Sequence, residues 1–147
     1  MTLLLGLGAD HAGFALKEEL KRALTEWGVA FEDIGVHDTT PADYPDQAHQ
    51  VARGVSEGKF ALGLIVCGTG IGMAITANKH KGVRAAVCSE AFSARMSRMH
   101  NNANVLCVGS RVVGPGLAQD IVRAFLDAEF EGGRHARRVE KIEDHLE

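Results

Sequence analysis

Residues Ile65–Gly72 read IVCGTGIG, an apolar run that ends on a thiol and gives way to three glycines. Upstream, Leu62 to Val66 is short, apolar and without polar alternation, the pattern of a strand covered on both faces. Downstream, a helix follows directly from Gly68, Gly70 and Gly72. A buried strand that turns into a helix through so tight a loop is one βα unit. The fold depends on whether the chain repeats it.

Outward from this stretch the same alternation recurs. Leu3 to Leu7, Phe31 to Ile34, Val83 to Val87 and Val105 to Val108 also read as buried strands, and segments of helical period lie between them. In the first, Leu16, Leu20, Ala23, Leu24 and Trp27 fall on one face with Lys17, Glu18, Lys21 and Arg22 outside, and Gly28 is the stop. A second stripe, Ala48, Val51, Ala52 and Val55, starts with Asp43 as N-cap and Pro45 in the first turn and closes at Gly58. Ser89 is expected to cap a fourth helix running towards Met99. Leu117, Ile121, Ala124, Phe125 and Ala128 mark a fifth after Gly114-Pro115-Gly116.

Five strands joined by helices must run parallel with right-handed crossovers. The expected fold is therefore α/β, a Rossmann-like three-layer arrangement with a five-stranded parallel sheet, helices on both faces and a C-terminal helical tail. Ligands bind such sheets beyond the carboxyl ends of the strands, and that rule says where to look.

With 147 residues, 46% hydrophobic and 24% charged, the chain is expected to form one domain over residues 1–147. A formal net charge of -3 gives no reason to expect nucleic acid or an anionic membrane as partner. The opening MTLLLGLGADHAGF has no basic leader, and Gly6, Gly8 and Asp10 interrupt its apolar run too soon for a signal peptide. Cys67, Cys88 and Cys107 are odd in number, widely spaced and set in apolar runs, which argues against a disulfide framework or a zinc site. A cytoplasmic protein without metal or cofactor is expected.

Reading off the strand ends gives Gly8-Ala9-Asp10-His11, Cys67-Gly68-Thr69-Gly70, Ser89-Glu90 and Gly109-Ser110-Arg111, with His100-Asn101-Asn102 just before the fifth strand. One acid, two histidines, a thiol and an arginine are candidates to converge on one rim. Each has a plainer reading. Cys67 by type is a small hydrophobe; at a strand end before a helix start, unpaired N–H groups favour a thiolate. No Asp or Glu occurs from Phe60 through Ser89, so if this loop supplies a proton acceptor, Cys67 is the obvious candidate. Asp10-His11 can equally be a helix N-cap, His100-Asn101 a helix C-terminus, and Arg134 with Arg138, four apart, either a solvated face or a pair that grips a phosphate.

Together the segments GADHAGF, DYPDQA, VCGTGIGMAITANK, GVRAAVCSE, HNNANVL, GSRVVG and EGGRHARRVE span nearly the whole chain. In them the sequence resembles the B-type ribose-5-phosphate isomerases, within the wider group that includes galactose-6-phosphate isomerase subunits. The resemblance implies interconversion of D-ribose 5-phosphate and D-ribulose 5-phosphate by proton transfer through an enediolate, in homodimers or pairs of dimers whose active sites are completed by the neighbouring chain. It implies Cys67 as proton acceptor, His100 assisting ring opening with Asp10 nearby, and Gly68, Thr69, Gly70, Ile71 and Gly72 as the loop holding the reacting oxygens. His11, Arg111, Arg134 and Arg138 correspond to the phosphate-binding set, Tyr44 and Asn101 to substrate contacts, and residues 131–147 to a tail expected to dock on the partner subunit. CSEAFSA lacks a proline and a tyrosine common in relatives, and HNNAN departs from HNDTN-like versions. A branch with glutamate as base carries it where Met73 and Ala74 stand here, which places this chain with the cysteine branch. The rival readings are isomerisation of a six-carbon sugar phosphate, allose or galactose 6-phosphate, and a nucleotide-binding module built on Gly6-Leu7-Gly8 and Asp33. The latter lacks the third glycine of its fingerprint, where His11 stands.

Overall fold

The computed structural model describes residues 3–144. Five strands, β1 (Leu4–Ala9), β2 (Ala30–Asp33), β3 (Leu62–Cys67), β4 (Ala85–Val87) and β5 (Val105–Gly109), form one parallel sheet in the order β2-β1-β3-β5-β4. Helices α1 (Phe14–Glu26), α2 (Tyr44–Ser56), α3 (Ile71–Ala77), α4 (Ala91–Asn101), α5 (Pro115–Asp127) and α6 (Arg134–Glu143) follow in alternation, with α6 as the expected C-terminal helix. The last residues of the expected tail, 145–147, lie outside the described residues.

Strand order fixes which face each helix covers. A right-handed crossover that moves one way along the sheet lies on one face, and one that moves back lies on the other. From β1 to β2 and from β4 to β5 the chain moves one way, so α1 and α4 share a face; from β2 to β3 and from β3 to β4 it moves back, so α2 and α3 share the opposite one. The core obeys this. Leu5, Leu7, Leu64, Val66, Leu106 and Val108 pack with Leu20 and Leu24 of α1, Ala94 of α4 and Ile121 and Phe125 of α5. Ile65, Cys67, Val105 and Cys107 pack with Val51 and Ala52 of α2 and Met73, Ala74 and Ala77 of α3. Alternate residues of β3 thus enter opposite layers, and Cys67 faces α2 and α3. The direction of winding reverses between β1 and β3, which opens a crevice at their carboxyl ends.

Several local expectations are corrected. β2 and β4 are edge strands and only half-buried, Val87 being 42% exposed. The Val83 to Val87 run enters the sheet only at Ala85, because the Arg84 N–H is taken by Asn104 Oδ1 (2.8 Å). Glu90, not Ser89, caps α4, its carboxylate accepting from the Ser93 N–H at 2.9 Å. Leu117 of α5 is 42% exposed, while Ala118 and Val122 take the buried positions beside Ile121.

Lys17, expected on the outer face of α1, is fully buried. Its ammonium donates to both Asp33 carboxylate oxygens (2.6 and 2.7 Å) and to the Val36 carbonyl (2.7 Å), tying α1 to the end of β2. Burial works to raise the Asp33 carboxyl, but hydrogen bonds from Lys17, Lys21 and the Gly35 N–H hold it below its usual value. Because the folded form holds that proton less tightly than the unfolded chain, this stabilisation is present above the unfolded carboxyl pKa of about 3.9 and is lost as pH falls through the lower folded value. Lys17→Met is expected to cost about 3 kcal/mol, the low end for breaking a buried pair, since Lys21 still reaches Asp33 at 2.9 Å. Urea unfolding at pH 7 measures it, and an unchanged midpoint contradicts the role.

Candidate active site

At the carboxyl end of β1 the chain turns through Asp10 and His11 into α1. Asp10 is 7% exposed and accepts the Gly13 N–H at 2.9 Å, so it closes the turn before α1, whose N-cap is Gly13 rather than Asp10. Its own N–H donates to the Val66 carbonyl (3.3 Å), which holds the turn against β3. His11 Nδ1 accepts the Ala42 N–H at 3.0 Å. That bond leaves the ring proton on Nε2 in the neutral ring.

At the end of β3, the Gly70 N–H donates to Cys67 Sγ at 3.1 Å. This bond ties the sulfur to the glycine loop that opens α3. Gly70 sits at φ +80°, a left-handed conformation open to glycine, and this is what brings its N–H back over the sulfur. Thr69 is exposed and its Oγ1 accepts the Ile71 N–H (3.2 Å). Gly72 lets the Tyr44 ring lie against the loop, since a Cβ there collides with the ring. From β5, the Ser110 N–H donates to the Cys67 carbonyl (2.8 Å) and the Arg111 N–H to the Gly68 carbonyl (3.0 Å), with the Arg111 guanidinium over Gly68. Asp10, His11, Tyr44, the loop from Cys67 to Gly72, and Arg111 therefore share one rim, at the switch between β1 and β3.

His100 and Asn101 do not join them. In the β3–β5 register Val105 lies beside Gly63 and Gly109 beside Cys67, so β5 starts at the end of the sheet opposite the thiol. His100 and Asn101, on the last turn of α4 just before β5, are at least the length of that strand away, roughly 13 Å at 3.3 Å per residue. The single-rim expectation is corrected for these two residues. Residues just before a strand of a parallel sheet lie at its amino end, opposite the rim formed by the carboxyl ends.

Arg134 and Arg138 stand on α6, which packs on α4 at this far end. Both are exposed. The Glu131 N–H donates to the Met99 carbonyl at 3.0 Å, and the His100 and His135 rings stack at 4.2 Å and 7°. His100 Nε2 and His135 Nε2 lie 3.5 and 3.4 Å from Glu131 Oε1. Burial, His100 and Arg134 push His135 below its ordinary value, so its imidazole is neutral at neutral pH. Glu131 and His135 escaped the reading of the sequence. The signal available was Gly132-Gly133, where two positive φ angles (68° and 57°) fold the chain so that these side chains meet.

All three cysteines are free. Burial first, then Glu90, pushes the Cys88 thiol up to about 11, and full burial, with Cys67 and Cys88 nearby, pushes Cys107 well above its usual value. Both stay protonated and unreactive at neutral pH. Iodoacetamide is expected to label Cys67 and spare Cys88 and Cys107 in the folded protein; peptide mapping that finds the three labelled alike contradicts this. No helix among the described residues is long and apolar enough to cross a membrane.

Comparison with known proteins matches residues 5–142 to the family model described as Ribose/Galactose Isomerase. Ribose-5-phosphate isomerase B of Escherichia coli (strain K12) is 51% identical over 138 residues, 94% of this chain and 93% of that protein. D-erythrulose-4-phosphate isomerase of Pectobacterium atrosepticum is 46% identical, covering 95% of this chain and 93% of its own. Among solved structures, ribose-5-phosphate isomerase B of Clostridium thermocellum superposes with a TM-score of 0.96 at 49% identity, covering 97% of both chains.

Proposed function

This chain belongs to the ribose/galactose isomerase family, and from that premise we propose how its two groups of residues divide the work. It is an aldose–ketose isomerase acting on D-ribose 5-phosphate and D-ribulose 5-phosphate. Cys67, as thiolate, takes the proton from C2 of the open-chain aldose and returns it to C1, while the carbonyl oxygen becomes an enediolate oxygen and then a hydroxyl. The Gly68–Gly72 loop and Thr69 hold the two oxygens between which the second proton passes, and Asp10 borders the same space. The observation that carries this reading is the Gly70 N–H held on Cys67 Sγ at the mouth of the β1–β3 crevice.

The phosphate lies away from the reacting carbons and fixes orientation. His11 and Arg111 reach it from the Cys67 rim, and Arg134 and Arg138 from the far end of another chain. Tyr44 and Asn101 line the sugar between them. His100 takes the anomeric hydroxyl proton and helps return one to the ring oxygen, which opens the furanose.

A homodimer, or a pair of dimers, follows from this division. A two-fold arrangement that sets the α4–α6 end of one chain against the Cys67 rim of another completes two equal sites, and neither is complete alone. Ile71 and Ile75, one turn apart on α3 and 54% and 58% exposed, offer apolar surface beside the loop for such a contact. The tail from residue 131, packed on α4 of its own chain, belongs to the end that meets the partner. The three free thiols and a phosphorylated substrate suit the cytoplasm.

Carbon number is the point on which relatives differ, because a protein 46% identical carries the name of a four-carbon isomerase. The test compares kcat/KM for ribose 5-phosphate, allose 6-phosphate and erythrulose 4-phosphate. Ribose 5-phosphate is expected to lead; a higher value on either of the others displaces it.

A further inference from the structure

His100, Glu131 and His135 meet where α6 packs on α4. Two imidazole nitrogens approach one carboxylate oxygen at 3.5 and 3.4 Å, and all three donor atoms lie within 4.8 Å of one another. Zinc held tetrahedrally at 2.0–2.1 Å from nitrogen and oxygen spaces its ligand atoms about 3.3 Å apart, so both approaches to Glu131 already have the required length. His135 is 7% exposed, yet its Nε2 has no hydrogen-bond partner among the described residues. A buried ring nitrogen aimed at a carboxylate without bonding it is a donor held ready for something else. The supporting chain is also fixed: the Glu131 N–H is tied to Met99 O, one residue before His100, and Gly132-Gly133 bring His135 round to the same point.

Two imidazoles and one carboxylate with an open fourth position are a donor set that suits zinc and its neighbours. The rings now stack at 7°, so their lone pairs run side by side. His100, 40% exposed at the end of α4, is the one free to tilt until both meet one ion. Arg134 and Arg138 on α6 oppose a cation, which sets the affinity below that of a structural zinc site. We propose that His100, Glu131 and His135 form a site for a zinc-class divalent cation, and that an ion there withdraws His100 from the sugar. The second half rests on the ring-opening role given to His100 above; the first does not.

Co²⁺ is the probe for binding and Zn²⁺ for activity, on the full-length protein in chelator-treated buffer. One Co²⁺ per chain is expected, with visible absorption of a tetrahedral ion and without thiolate charge transfer. Glu131→Gln and His135→Asn, each checked for native circular dichroism, are expected to weaken Co²⁺ at least tenfold. Both should turn over ribose 5-phosphate in metal-free buffer and escape the inhibition that Zn²⁺ imposes on the parent and chelator reverses. No Co²⁺ spectrum, a thiolate charge-transfer band, or variants that bind like the parent each overturn the site. Binding as described with undiminished turnover of ribose 5-phosphate overturns the withdrawal of His100 and leaves the site. A protein that binds Co²⁺ but isomerises none of the sugar phosphates sinks the functional reading instead.

Discussion

Cys67→Ala is expected to lower kcat by about 10²–10⁴-fold, the usual contribution of a positioned base, while KM changes little. The asymmetry follows from the site. On the proposed reading, substrate affinity would reside mainly in the phosphate and its contacts with His11, Arg111, Arg134 and Arg138, and no hydrogen bond or ion pair among the described residues joins these side chains to the thiol. The proton moved between C1 and C2 has no other acceptor in the loop, because no carboxylate occurs from Phe60 through Ser89. Asp10 is an acid on the same rim, and one of its oxygens is already taken by the Gly13 N–H. Removing the sulfur also frees the Gly70 N–H, but Gly70 stays anchored through its carbonyl, which accepts from Ala74, and the fold is expected to survive. Steady-state kinetics on ribose 5-phosphate read both parameters. Turnover within a few-fold of the parent places the base elsewhere.

The strand–thiol–glycine stretch was legible in the sequence because everything that shapes it is local. A buried strand has a period and a length, a tight βα turn requires glycine, and the strand-end rule then points at Cys67. What was not legible depends on partners distant in sequence. Lys17 reads as surface until Asp33, sixteen residues on, is seen to neutralise it. Ser89 and Glu90 are both plausible caps, and only the backbone angle at the start of α4 chooses between them. The order β2-β1-β3-β5-β4 is a tertiary fact, and it places the crevice between β1 and β3; the far position of His100 follows instead from the parallel run of β5, whose amino end it precedes. Glu131 and His135 meet His100 through a glycine turn that sequence periodicity does not describe.

The separation of His100 from Cys67 makes the shared site the central claim, and it gives the second large effect. Cys67→Ala and His100→Asn dimers are each expected to be nearly inactive on ribose 5-phosphate, which is mostly cyclic in solution. After subunit exchange, each hybrid dimer has one site with both substitutions and one with neither. Equal mixing makes half the dimers hybrid with one of two sites intact, so about one quarter of the parent activity should return. Sites within single chains predict the opposite, since every site in a hybrid would carry one lesion. The decisive measurement is therefore the activity of an equimolar exchanged mixture whose heterodimers are counted by native mass spectrometry. Recovery to about one quarter of the parent rate is the result that sites shared between two chains require. Heterodimers in full proportion with no gain over the separate variants would contradict them.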